Sequence, residues 1–394
     1  MLSNRSRALL PSQTVRFADI ATQLKEQGHH VVDMSAGRAS EATDTEICDA
    51  VKKALDEGDT HQTPARGMSS YREAVSEKLK RDNVLSYDPA TEIQATLGCK
   101  NALVLGLSAV IDPGDEVIIE SPAFVSYGPT IELLGGVVKP VCLRPENHFR
   151  WNKDELAAAV TSRTKAILFC SPHNPLGVVH TNDDLEIIAS VAREHNLMVF
   201  ADEIYEAVTW GGRTHLPIAS LPDMRERTIG MMGMTKSYSM GGWRIGYAYG
   251  PDQIIAKMSD IQAHIMTCAS SVGQRAGISA LSPHVTAKLK KTVWREWERR
   301  CEFVSTALNG MDGLQCSMPE GGFYGWVKID DLEVDSETFS NRLLNEHFVS
   351  TVPGKSFGPE WDNYVRVTCV KSDVDIATGI ERIAQFVEKL KRGL

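Results

Sequence analysis

GMTKSYSMGGWRIGY, residues 233–247, places Lys236 between methionine, threonine, serine, tyrosine and tryptophan, not among other charges. An apolar, glycine-rich surround disfavours the charged ammonium and leaves the amine nucleophilic. Thr235 and Arg244 flank it; both bind phosphate oxygens, and arginine does so with two parallel hydrogen bonds. On either side lie strand-like runs, TIGMMGM (228–234) and RIGYAYG (244–250), so the lysine sits in a connection between strands.

Further upstream the same style repeats. DEVIIESP (115–122), TKAILFCSP (164–172) and LMVFADEIY (197–205) read as strands, and NDDLEIIASVAREHN (182–196) shows helical spacing of its apolar residues. Strands alternating with helices of this length predict an α/β fold with a doubly wound, mostly parallel sheet covered on both faces. Downstream the style changes. One long helix is expected over about 284–309, then strand-like GGFYGWVKI (321–329), a helix near 336–346, strand-like YVRVTCV (364–370) and a last helix. That is a smaller α+β domain. A chain of 394 residues exceeds the size at which one core keeps growing, which also predicts two lobes.

Four other segments carry chemistry. In TLGCKNALVLGLSAV, Gly98 precedes a helical run starting near Lys100. Its free N–H groups can bind a phosphate, although most such turns are only turns. SPHNPLG (171–177) follows a strand, where open α/β sheets bind ligands. Pro175 there suits a cis peptide, and His173 reads as a local hydrogen-bonding group. ADEIYE (201–206) ends another strand. Asp202 and Tyr205 suit a pyridine-type cofactor, with the carboxylate on the ring nitrogen and the phenol on a ring oxygen; a capping Asp and a surface Glu are the plain alternative. Arg366 lies inside the apolar DNYVRVTC (362–369) and needs an anionic partner, either a substrate carboxylate or an internal Asp or Glu.

Composition excludes other classes. A net charge of −9 gives no footprint for nucleic acid or an anionic membrane. No apolar stretch approaches the roughly 18 residues of a membrane helix, and the N-terminus holds no signal-like apolar run. The eight cysteines form no C-x-x-C pair and no metal pattern, so reduced thiols, no metal and a cytoplasmic setting are expected.

In this order the segments resemble the fold-type I enzymes that use pyridoxal 5′-phosphate (PLP), specifically the class I/II aminotransferases, nearest the branch of bacterial aspartate and kynurenine aminotransferases. The resemblance covers nearly the whole chain from about Thr14. It implies an N-terminal arm contributing to the small domain (1–45), a large PLP-binding domain (46–290) and a small C-terminal domain (291–394). It implies that Lys236 holds the cofactor as a Schiff base (aldimine) and shuttles the proton from substrate Cα, through a quinonoid, while an α-amino group passes from an amino acid to a 2-oxo acid. Asp202 then meets the pyridine nitrogen, Tyr205 and Asn174 the ring oxygen, and Phe124 the ring face. Gly98, Cys99, Lys100, Thr235 and Arg244 cup the phosphate. Gly37, Asn174 and Arg366 clamp the substrate carboxylate, and the enzyme is a cytoplasmic homodimer with shared active sites.

Two departures bear on specificity. The family's tyrosine before T-P-x-x-G, which reaches a phosphate across the dimer, is Gln62 here, and the usual G-x-P-D-F is GRASEAT from Gly37, which brings Arg38 to the pocket region. They motivate an alternative within PLP chemistry: β- or γ-elimination, replacement or cyclisation. Lys100 also matches a position linked in some relatives to acidic substrates.

Overall fold

The structure, a computed structural model, describes residues 2, 7 and 13–393. What the sequence assigns to the arm at residues 1, 3–6 and 8–12, and to the small domain at residue 394, lies outside the described residues. The chain opens with α1 (Gln13–Glu26), β1 (Val32–Asp33), α2 (Thr45–Asp56) and α3 (Ser69–Asn83). The alternating part follows: β2 (Ile93–Thr96), α4 (Cys99–Val110), β3 (Glu116–Ser121), α5 (Tyr127–Leu133), β4 (Val137–Cys142), α6 (Lys153–Ala159) and β5 (Thr164–Cys170). It continues through α7 (Asn182–Glu194), β6 (Met198–Asp202), β7 (Thr228–Gly233), β8 (Gly246–Tyr249), α8 (Asp252–Ile265) and α9 (Ser271–Ala280).

Seven of these strands form one sheet in the order β2-β8-β7-β6-β5-β3-β4. All neighbours from β7 to β4 run parallel, and β8 is antiparallel to both β7 and β2. Side-chain alternation divides the central strands between two cores. Val117, Ile119, Leu168 and Phe200 enter one, whereas Ile118, Ile167, Phe169, Val199 and Ala201 enter the other. Burial on both faces explains the near-continuous apolar runs of β3, β5 and β6.

The remainder comprises α10 (Pro283–Lys291), α11 (Val293–Asn309), β9 (Gln315–Cys316), β10 (Tyr324–Lys328), α12 (Ser336–His347), β11 (Val349–Ser350), β12 (Val352–Pro353), β13 (Tyr364–Thr368) and α13 (Asp373–Lys391). An antiparallel sheet orders β12-β13-β10-β9, and β1 pairs in parallel with β11. The single helix expected over 284–309 is broken at Thr292, whose φ −116 and ψ −85 leave the helical region. The break lets Trp294 donate to the Ser237 carbonyl at 2.7 Å and Trp297 to the Glu41 carboxylate at 3.0 Å. Apolar spacing continues through it, so periodicity alone does not reveal it.

Candidate active site

Four chain segments converge at the carboxyl ends of the parallel strands, where such sheets bind ligands. At the start of α4, Gly98 has φ 84, and a Cβ there would stand 3.1 Å from Arg244 Nη2. The Arg244 guanidinium donates to the Gly241 carbonyl at 3.1 Å and to Leu97 at 3.2 Å. Arg244 thus packs against the turn that opens α4, and Thr235, beside Lys236, is half-buried. Lys100 stands beside them with its ammonium 5.4 Å from the Phe124 ring centre. Partial desolvation, then the charges of Arg244 and Lys236, hold Lys100 below its ordinary range.

Asp202 ends β6 and is buried. Tyr127 donates to one of its oxygens at 2.7 Å; the Cys99 thiol and the Ile204 N–H reach the other at 3.2 and 3.3 Å. Burial outweighs these neutral donors and raises the carboxyl above its usual range. Among the described residues no cation pairs with it.

Lys236, after β7, is half-buried. Its ammonium donates to the Gly37 carbonyl at 2.8 Å and lies 5.9 Å from the ring centres of Tyr205 and Phe323. No carboxylate pairs with it among the described residues.

Arg366 on β13 is 2% exposed. It donates to Asn174 Oδ1 at 2.9 Å and to the Ser35 carbonyl at 2.7 Å, and its Nε has no partner. Among the described residues no carboxylate meets it, so the internal-ion-pair reading of this arginine falls. Asn174 sits in a buried loop whose Asn174–Pro175 peptide is cis.

His173, its neighbour, is fully buried. Its Nδ1 accepts from the Leu176 N–H at 3.3 Å, and its Nε2 lies 2.9 Å from Glu120, which His180 also faces at 3.4 Å. Burial pushes the Glu120 carboxyl up, but His173 and then His180 outweigh it and hold it below its ordinary value of 4.5. A depressed carboxylate stabilises the fold above its unfolded pKa and loses that contribution as pH falls through the folded value. Glu120→Gln should therefore lower the melting temperature at neutral pH, by the equivalent of about 1–3 kcal/mol. The two proteins should converge as the pH is taken below 4.5. Identical melting curves at neutral pH would show that the charge contributes nothing.

Not every expected residue joins the cluster. Gln62 and Arg38 are exposed, and neither side chain hydrogen-bonds to the groups above. Residues missed by sequence reasoning are Tyr127, the Cys99 thiol as a partner of Asp202, the Ser35 carbonyl, and Tyr324. The Tyr324 hydroxyl lies 3.2 Å from that of Tyr205. Burial pushes this pair up, but the charges of Lys236 and Arg366 hold Tyr324 below the ordinary phenol range.

Comparison with known proteins gives this geometry its context. The family model described as aminotransferase class I and II matches residues 29–383. The chain belongs to this family. An aspartate aminotransferase of Pyrococcus abyssi is 38% identical over 393 residues, covering 100% of this chain and 98% of the relative. An aromatic-amino-acid aminotransferase 2 of Thermococcus litoralis is 36% identical over 393 residues, with 100% and 98% covered. Among solved structures, an aspartate aminotransferase from Thermus thermophilus with maleate has a TM-score of 0.93 at 34% identity, covering 98% of this chain and 99% of that one. This aminotransferase thus has the fold-type I architecture, depends on PLP, and moves the α-amino group of an amino acid to a 2-oxo acid. The elimination, replacement or cyclisation alternative is not favoured, since the relatives that match along the whole chain are aminotransferases. No helix among the described residues is long and apolar enough to cross a membrane.

Proposed function

We propose that this aminotransferase takes a dicarboxylic amino acid, aspartate or glutamate, as donor and the corresponding type of 2-oxo acid as acceptor. The observation that carries the carboxylate reading is Arg366, a buried guanidinium with an unsatisfied Nε and no internal anion. Such a charge is tolerated only where an anion binds. Lys100 is the cation we assign to the second carboxylate, and it has no acidic partner among the described residues. Relatives named aspartate aminotransferase, and the T. thermophilus structure with maleate, support the same class.

The residues fit PLP. Asp202 is a buried anion awaiting a cation, which a protonated ring nitrogen supplies. Gly98 leaves open a space that any side chain would close against Arg244. Lys236 is anchored through a backbone carbonyl, with no ion pair to break. When bound, the cofactor supplies an electron sink for charge developing at the substrate Cα. We assign Asp202 to hold the ring nitrogen protonated and Tyr205 and Asn174 to the ring oxygen. Phe124 covers the ring face, and the backbone N–H groups of Gly98, Cys99 and Lys100, with the Thr235 and Arg244 side chains, hold the phosphate, which leaves the Lys100 ammonium to the substrate. Arg366, Asn174 and the Gly37 backbone orient the substrate, so that Lys236 Nζ can take the proton from Cα.

Mixing the enzyme with single amino acids, without a 2-oxo acid, tests the donor class. Aspartate or glutamate should bleach the cofactor's visible absorbance, and 2-oxoglutarate should restore it. Lys100→Ala should raise KM for aspartate by about 10-fold while leaving that of a neutral amino acid unchanged. Bleaching by aromatic amino acids alone would overturn the dicarboxylate assignment.

We also infer a cytoplasmic homodimer in which Gln62 serves the partner's phosphate site. Gln62 is exposed and detached from its own site, and Ile265 and Met266 are 60% and 43% exposed on the same chain. Light scattering should give twice the chain mass. The domain division at 1–45, 46–290 and 291–394 is inferred alongside, supported by the helix break at Thr292 and the β1–β11 pairing.

A further inference from the structure

Glu320 lies just ahead of β10 and is half-buried against the loop that follows β5. Arg150 Nη2 donates to both of its carboxylate oxygens at 2.9 Å, and Arg213 adds a third contact at 3.1 Å. The Val179 N–H donates to Glu320 Oε2 at 2.9 Å. Arg150 grips the same loop a second time, through the Val179 carbonyl at 2.6 Å and Asp184 at 3.1 Å. The backbone repeats the connection, since the N–H groups of Glu320 and Gly321 both donate to the Gly177 carbonyl, at 2.8 and 2.9 Å. The seam leaves no room for side chains at its glycines: a Cβ on Gly177 would stand 2.5 Å from Pro319 Cβ, and one on Gly321 would stand 2.9 Å from Pro172 Cβ.

Each side of this seam leads to one half of the carboxylate clamp. On the loop side, Gly177 donates to the His173 carbonyl and His173 to the Val178 carbonyl, both at 2.8 Å. A shift at residues 177–179 is therefore passed to His173 and to its neighbour Asn174. On the other side the chain runs straight into β10, where Trp326 pairs with Arg366 of β13. The two halves meet where Arg366 donates to Asn174 Oδ1 at 2.9 Å.

We propose that Glu320 is a positioning residue: it holds the Asn174 loop against the strand pair that carries Arg366, and so fixes the clamp for the substrate α-carboxylate. The inference rests on the assignment of Asn174 and Arg366 above. Ionised Glu320 accepts from two guanidinium groups and one backbone N–H, and such charge-assisted bonds are the strong ones. A clamp already ordered loses little freedom when the carboxylate binds. Without Glu320, Arg150 and the Val179 N–H lose their shared acceptor, the loop relaxes, and binding must restore the clamp's geometry. A carboxylate that merely cemented the fold would affect stability and leave substrate affinity alone.

The test is the steady-state kinetics of PLP-loaded Glu320→Ala with aspartate and with phenylalanine, donors that share the α-carboxylate and differ in side chain. KM should rise about 10-fold for each donor that wild type uses, with kcat changed by less than about threefold. Glu320→Gln keeps an acceptor for the Val179 N–H but no charge for the arginines, so it should recover part of the loss. In an Asn174→Ala background, Glu320→Ala should add less than about twofold, because the group it positions is already gone. An unchanged KM in Glu320→Ala, a fall in kcat at constant KM, or the full rise repeated in the Asn174→Ala background would overturn the proposal. Arg150→Met breaks the same junction from the opposite side and should give the same signature; it stands in should Glu320→Ala fail to fold. An unchanged KM in Arg366→Leu would sink the clamp assignment itself, whereas a raised KM there beside an unchanged one in Glu320→Ala sinks only the positioning role.

Discussion

Lys236→Ala is expected to purify without covalently held PLP and to turn over at least about 10⁴-fold more slowly than wild type, since one side chain supplies both the attachment point and the proton acceptor. The loss should be chemical and not structural. Lys236 donates to the Gly37 carbonyl, and among the described residues it forms no ion pair. Removing its side chain therefore leaves no buried charge unpaired, and the melting temperature of the cofactor-free protein should stay close to wild type. Borohydride reduction followed by peptide mass analysis reads the attachment directly. A modified peptide containing residue 236 is expected in wild type and no modified peptide in the variant. A reduced cofactor adduct found in the variant at another lysine would move the assignment. Lys100 is the informative second position, because its charge already senses those of Arg244 and Lys236.

The parts of this protein legible in its sequence are those where local physics is unusual. A lysine and an arginine isolated in an apolar, glycine-rich run, and an arginine inside a buried strand, conflict with ordinary burial preferences, so Lys236, Arg244 and Arg366 stand out. The central strands were equally legible, because burial on both faces produces apolar runs. Both missed strands of the large sheet, β2 and β4, are its edges. β2 has four residues, and β4 carries Pro140 and is partly exposed, which dilutes the strand signal. Tyr127 and Tyr324 escaped for the opposite reason. An aromatic residue in a buried segment is the default in any core, and nothing local separates one that packs from one whose hydroxyl meets Asp202 or Tyr205. Gln62 belongs to a third kind, since its proposed partner lies on another copy of the chain.

Arg366→Leu should raise KM for the amino donor by on the order of 100-fold or more, with PLP absorbance retained. The guanidinium is fixed before substrate arrives: Asn174 and the Ser35 carbonyl take its two Nη groups, and the Tyr324 and Phe357 rings lie 4.2 and 5.0 Å from Cζ. Little ordering entropy is then lost when a carboxylate binds, so nearly the whole charge-assisted interaction is available as affinity. Arg366→Lys separates charge from shape. A lysine keeps the cation but cannot hold Asn174 and Ser35 while presenting a forked face to a carboxylate, so it should recover only part of the loss. The leucine variant also removes a buried cation that has no internal anion, which predicts a cofactor-free protein no less stable than wild type. Lower melting temperature together with an unchanged KM would make Arg366 a structural residue and leave the substrate carboxylate to another group. Raised KM with unchanged melting is the expected pair of results, and it follows from a guanidinium that the fold holds ready but does not neutralise.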